Sequence, residues 1–280
     1  MRPSATIFAL LFPLAAVAQY SMVKEYAGST FFDDWNFYGH ADNLTHGNTN
    51  FLSAKDASKK QLAFVNANGN AIIKVDNSST LKFPNNRDSI RINTKDRFTI
   101  GSVWVVDMLH MPYGCSVWPA FWSSALSWPE GGEIDTMEAV NKDTMAHMGL
   151  HSDPALQGNA STIDTSALGR PTANYSSDGC AITSFFEPQT IIFNIALCGD
   201  YAGSSSSFYP SCTGVCYQDW VLGNPSVYDT AYFEVQHLRV YGIPGGFTVI
   251  SSGASRLLRA SPSFLVFFTS ALAFLLSVWV

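Results

Sequence analysis

The sequence predicts an all-β fold, a sandwich or barrel of short strands, and three observations carry that expectation. No segment between the two ends keeps a helical period long enough for a major helix. Short runs of alternating apolar residues recur along the chain, and clusters of Gly, Asn, Asp and Ser separate them. In order, the runs read as strands at Gln61–Val65, Ala71–Val75, Ser89–Asn93, Phe98–Val106, Thr190–Leu197 and Ala231–Tyr241, the last alternating over its whole length. Asn68-Gly69, Pro84-Asn85-Asn86 and Asn224-Pro225 supply turn chemistry between them, and Ser204–Ser207 reads as a flexible loop.

Composition narrows the function classes. Lys and Arg (16) with Asp and Glu (22) make up 14% of 280 residues, where soluble domains carry roughly 25%. With 47% apolar content, a disordered chain and a nucleic-acid binder are both excluded, since each depends on charge. The net charge of −6 disfavours phosphate backbones and anionic membrane surfaces and leaves neutral substrates such as sugars open. The length suits one domain, because all-β units run to roughly 200–250 residues.

The ends read as processing signals. Arg2, the apolar run Ile7–Val17 and Ala16-Val17-Ala18 give the three zones of a secretory signal peptide over residues 1–18. Phe264–Val280 is an apolar run preceded by Ser251-Ser252-Gly253-Ala254 and a spacer with Arg256 and Arg259, the order of a GPI-anchor signal over 251–280, with a retained hydrophobic tail as the alternative. Residues 19–250 then form the domain. Cleavage discards three arginines and no acid, leaving a more acidic product. Sequons at Asn43, Asn77, Asn159 and Asn174 also point to an extracellular or cell-surface glycoprotein. In that oxidising setting Cys115, Cys180, Cys198, Cys212 and Cys216 are expected to form disulfides, one thiol being left over. The Cys212–Cys216 spacing is near that of a metal site, but no second pair follows at zinc distance.

The most informative stretch is Trp128-Pro-Glu-Gly-Gly-Glu-Ile-Asp-Thr-Met-Glu138. In a regular strand Glu133 and Asp135 share a face while Glu138 takes the other. A one-residue bulge near Thr136-Met137 resets the phase and brings Glu138 beside them. Three carboxylates crowded on one face repel and raise one another's pKa, which is how a glycosidase holds one ionised and one protonated carboxyl together. Retaining hydrolysis needs the two groups roughly 5–5.5 Å apart, whereas five straight-strand steps separate Cα atoms by about 16 Å, so curvature and long side chains must close the gap. Trp122 and Trp128 supply flat faces for pyranose rings; Trp118 and Phe121 read as core. His151 reaches the same face from the next strand, with a structural role as its alternative, and Arg91 on the Ser89–Asn93 run joins the substrate-binding candidates.

Trp118-Pro-Ala-Phe-Trp122 followed by Trp128–Asn141 resembles the signature of glycoside hydrolase family 16, in its fungal endo-β-1,3(4)-glucanase, laminarinase-like branch. The likeness extends through Val23–Phe32, Ala71–Asp76, Met111–Pro119, Pro188–Asp200 and Ala231–Tyr241. It implies a concanavalin A-like β-jelly-roll sandwich and retaining endo-hydrolysis of β-1,3- or mixed β-1,3/1,4-glucans, with Glu133 as nucleophile, Asp135 as its helper and Glu138 as acid/base. It implies no redox or organic cofactor and no catalytic metal, some members binding a structural calcium. The expected partner is a β-glucan polysaccharide, with no nucleic acid, a membrane only through the lipid anchor, and a monomeric chain. After His151 the family continues through several tens of residues, whereas here a short Ser/Thr/Asn-rich stretch leads directly to Arg170 and Cys180. That departure accounts for the odd cysteine and is expected to remove sheet neighbours from the middle of the fold and part of the acceptor side of the cleft. A wall-glucan transglycosylase and an inactive glucan-binding relative are the alternatives.

Overall fold

The computed structural model describes residues 20–153, 181–243, 246 and 248–251. The signal-peptide and anchor segments, the sequons at Asn159 and Asn174, and Cys180 lie outside the described residues. The first strands are β1 (Ser21–Ala27), β2 (Trp35–Phe37), β3 (Thr49–Phe51), β4 (Ala63–Val65), β5 (Ala71–Lys74) and β6 (Arg87–Ser89). They are followed by β7 (Arg91–Thr94), β8 (Arg97–Phe98), β9 (Val103–His110), β10 (Val117–Ser124), β11 (Glu133–Glu138) and β12 (His147–His151). β13 (Thr190–Leu197), β14 (Tyr232–Gly242) and β15 (Val249–Ile250) complete the set.

Two antiparallel sheets face each other. One has the order β12-β11-β10-β13-β7-β2; in the other, β14 is flanked by β9 on one side and by β1, β5 and then β4 on the other. The core lies between them. Phe121, Phe193 and Ile195 from the first sheet meet Ile73, Phe233, Val235 and Leu238 from the second, and the Phe193 and Phe233 rings lie 5.3 Å apart edge to face. β13 is buried along nearly its whole length, one face packing on the core and the other lying under the side chains of its neighbours β10 and β7 at the floor of a pocket.

The expected strands form with three differences. The Ser89–Asn93 and Phe98–Val106 runs each divide into two strands, β6 with β7 and β8 with β9. The alternation along Ala231–Tyr241 slips once: Phe233 and Val235 point inward, then Leu238 and Val240, with the register shifting between Val235 and His237. Two adjacent polar residues, Gln236 and His237, occupy one step of the pleat there. Ser204–Ser207 is not a loop but the start of a helical turn (Ser205–Phe208), anchored by buried Phe208 and by Asn141, whose Nδ2 donates to the Ser207 carbonyl at 3.0 Å.

Four cysteines pair as Cys115–Cys212 and Cys198–Cys216, so the two members of the near-metal spacing go to different partners. β12 stands last in its sheet among the described residues. The shortened connection after His151 therefore follows a strand that has a single neighbour, β11, among the described residues.

Candidate active site

β11 carries the bulge that its sequence calls for. Trp122 of β10 opposes Asp135 while the adjacent Phe121 opposes Met137, which leaves Thr136 as the extra residue. Ile134 and Thr136 turn away from Glu133 and Asp135, Met137 packs on the core, and Glu133, Asp135 and Glu138 line one pocket of about 290 Å³. The pocket wall comes from neighbouring strands of the same sheet. Trp118 and Trp122 project from β10, Asn194 from β13 and Arg91 from β7.

The carboxyls are held by specific partners. Trp118 Nε1 donates to Glu138 Oε1 at 2.7 Å. His151 is the register partner of Glu133 across β11–β12, and its Nε2 lies 3.0 Å from Asp135 Oδ2 and 3.8 Å from Glu133 Oε1. Gly149 faces Asp135 in the same ladder, where a Cβ would come within 3.1 Å of the Asp135 carboxylate and 3.7 Å of His151 Nε2. A side chain there would crowd the histidine–aspartate contact.

Burial is the largest cause pushing all three acids above their ordinary pKa values. Glu133 is moved furthest, to about 7, with Asp135 as the next cause and His151 and Trp128 opposing. For Asp135, His151 and a hydrogen bond with Glu133 oppose the rise. For Glu138, the Trp118 hydrogen bond opposes it. Glu133, Asp135 and His151 have ligand atoms within 4.8 Å of one another, a spacing that would also admit a metal ion.

The aromatic and cationic residues sort cleanly. Trp122 donates from Nε1 to Asn194 Oδ1 at 2.6 Å, and the Arg91 guanidinium lies over both its ring (5.0 Å) and that of Tyr38 (5.1 Å). Trp128 borders the pocket and is 59% exposed. Its turn is fixed from below: Gln189 Nε2 donates to the Gly131 carbonyl, and Gly132, at φ +79, packs where a Cβ would meet Phe186 at 2.5 Å. Phe121 is core, as expected. Trp118 is not, because it shares its face of β10 with Ala120 and Trp122 and points into the pocket. Sequence reasoning passed over Asn194, although a lone amide in the run Ile191–Leu197 was the available signal; Tyr201, whose ring meets Trp118 edge to face at 5.5 Å, gave none.

Comparison with known proteins gives a consistent result. The XgeA-like catalytic domain of the GH16 family matches residues 35–163 and 155–241. A probable glycosidase of Schizosaccharomyces pombe is 29% identical over 295 residues, covering 79% of this chain and 69% of that protein. A probable endo-1,3(4)-beta-glucanase of Neosartorya fischeri is 28% identical, covering 86% of this chain and 48% of that protein. The chain thus spans about half the length of several curated relatives it matches. Laminarinase 16A of Phanerochaete chrysosporium, solved with two beta-glucans in donor and acceptor sites, superposes with a TM-score of 0.71 at 27% identity, covering 79% of this chain and 99% of that one. In the S. pombe alignment, 79% of 280 is about 221 residues, so about 74 of the 295 positions face no residue here. The family match divides at 155–163, directly after β12.

Proposed function

The chain belongs to the GH16 family, and from that premise we propose that it hydrolyses β-1,3- or mixed β-1,3/1,4-glucans within the chain and with retention of configuration. The observation that carries this reading is the bulge at Thr136, which puts Glu133, Asp135 and Glu138 on one pocket wall beside three tryptophans.

Glu133 is the nucleophile. From the form in which Glu133 is ionised and the proton sits on Glu138, the less populated arrangement of the pair because Glu133 is the more strongly raised, the Glu133 carboxylate attacks the anomeric carbon as Glu138 protonates the departing glycosidic oxygen, which gives a glycosyl-enzyme ester and a shortened glucan. Glu138, now ionised, takes a proton from water, and the resulting attack frees Glu133. Asp135 tunes the nucleophile through their shared hydrogen bond, and His151 at 3.0 Å offsets the added negative charge. Trp118 orients Glu138 toward the leaving group. Trp122, Trp128 and Arg91 form the sugar-binding wall. Every proton and bond in this sequence is accounted for by side chains, substrate and water, so the reaction calls for no cofactor.

The two disulfides fit an oxidising compartment. Secretion through the 1–18 signal, N-glycosylation and a GPI anchor at the C-terminal tail complete the proposal, with wall glucan as the substrate within reach. Reducing-sugar release from laminarin by the purified chain, lost in Glu133→Gln, tests the activity. A folded wild-type protein that releases none contradicts it.

A further inference from the structure

The two sheets differ in how their edges end. β2 and β4 are three residues long, and β1 carries Lys24 and Glu25 and a register shift after Met22. Short strands, charges and irregularities are the usual protections of a sheet edge. β9 has fewer of these: its one charge is Asp107, and its register with β14 shifts only toward its C-terminal end, opposite Glu234–His237. It runs for eight residues, Val103–His110, without Lys, Arg or Pro, and among the described residues it pairs only with β14. Its outer face shows Val103, Val105 and Leu109, 41–58% exposed, with Asp107 between them.

Among the described residues its inner face also borders a cavity. Trp104, Val106 and Met108 pack on the core, yet Trp104 and Val106 line a second cavity of about 470 Å³ with Phe121, Ile134 and Leu150, between the β9 edge and the β11–β12 end of the other sheet. About 74 aligned positions of a relative have no counterpart in this chain. The connection after β12, residues 154–180, is mostly Ser, Thr, Asn, Gly, Ala and Pro and contains no Val, Phe or Trp.

We propose that β9 pairs with β9 of a second copy of this chain, antiparallel about a two-fold axis through Val106, joining the two five-stranded sheets. The pleat permits only registers that keep inner residues opposite inner residues. Centred on Val106, Trp104 meets Met108 of the second copy and Val106 meets Val106 on the inner face, while Val105 meets Asp107 on the outer face. Centred on Asp107, two aspartates oppose each other, which is destabilising. Centred on Val105, the pairing runs past the start of the strand at Val103. The Val106 register is therefore the self-complementary one, and it closes on itself as a dimer because the seam uses the β9 edge of both copies. This departs from the monomer expected from sequence, and it leaves the pocket of the other sheet open.

The test is the mass of the full chain in mild nonionic detergent, by analytical ultracentrifugation across micromolar concentrations. Wild type is expected as a dimer. Val105→Asp, which sets aspartates opposite each other in both halves of the seam, is expected as a monomer with an unchanged melting temperature. The double variant Val105→Asp with Asp107→Lys is expected to restore the dimer, because the carboxylate introduced at the first position then faces the ammonium introduced at the second on the other copy. A wild type that stays monomeric overturns the proposal, as does a Val105→Asp protein that stays dimeric. A folded double variant that fails to re-associate overturns the register and with it the two-fold seam.

Discussion

Two regions of this molecule bury charge in opposite ways. Arg87 is fully buried, and all its bonds are satisfied by neutral acceptors: Nε and Nη2 donate to the Val221 carbonyl, and Nη1 to those of Asp76 and Ser79, while the guanidinium lies 4.8 Å from the Tyr228 ring. The nearby chain is tied down by Cys198–Cys216. At the other region, Glu133, Asp135 and Glu138 crowd one wall with a single histidine, His151, against two of them. The first arrangement resolves its charge and serves the fold. The second leaves its charge unresolved, so the carboxyls stay ready to exchange protons, at a cost in stability.

The contrast is sharpest in Glu133→Gln. Hydrolysis of laminarin should fall by about 10³–10⁴-fold or more, measured as kcat/KM. The same change should stabilise the protein at neutral pH. A carboxyl whose folded pKa, about 7, lies above its ordinary value of 4.5 favours the fold while protonated; that contribution is complete below about pH 4.5 and is lost as pH rises through about 7. The variant should therefore be more stable than wild type above pH 7, by on the order of 1–3 kcal/mol, and match it below pH 4.5, as read by denaturant titration at each pH. Arg87→Leu should do the reverse. Four N–H donations are lost from buried carbonyls, stability drops by about 3–5 kcal/mol, and the folded fraction keeps the wild-type pH profile.

Smaller changes separate the causes within the site. Asp135→Asn removes the second-largest influence raising Glu133, so the acidic limb of the kcat/KM profile should move to lower pH. It should not reach the position of an ordinary carboxylate, because burial, the larger influence, remains. Trp118→Phe keeps an aromatic ring but removes the donor to Glu138, which lets the Glu138 pKa rise further. The basic limb should then move to higher pH, with kcat/KM reduced roughly tenfold.

Much of the site was legible from the chain because β11 states its own geometry. Glu-Ile-Asp-Thr-Met-Glu has one residue too many for a single-face alternation, and that surplus is Thr136 in the ladder. The period-2 pattern Trp118, Ala120, Trp122 on β10 carried equal information, but bulk and apolarity argued for core, and only the pairing of Ala120 with Glu138 shows that Trp118 reaches that acid. Arg91 and Asn194 come together through the β7–β13 register, between residues about a hundred positions apart in sequence, which no local pattern encodes. The disulfide partners were open for the same reason, since Cys115 and Cys212 are 97 residues apart. The slip at Gln236-His237 was visible as two polar residues in succession and is the kind of defect a long alternating run conceals.

The most direct measurement is proton NMR of the first laminarin products, before anomers equilibrate, with wild type and Glu133→Gln side by side. The account predicts that wild type releases the β-anomer first and that the variant releases almost nothing. An α-anomer first, or turnover undiminished in Glu133→Gln, would contradict the assignment of Glu133 as a nucleophile paired with Glu138.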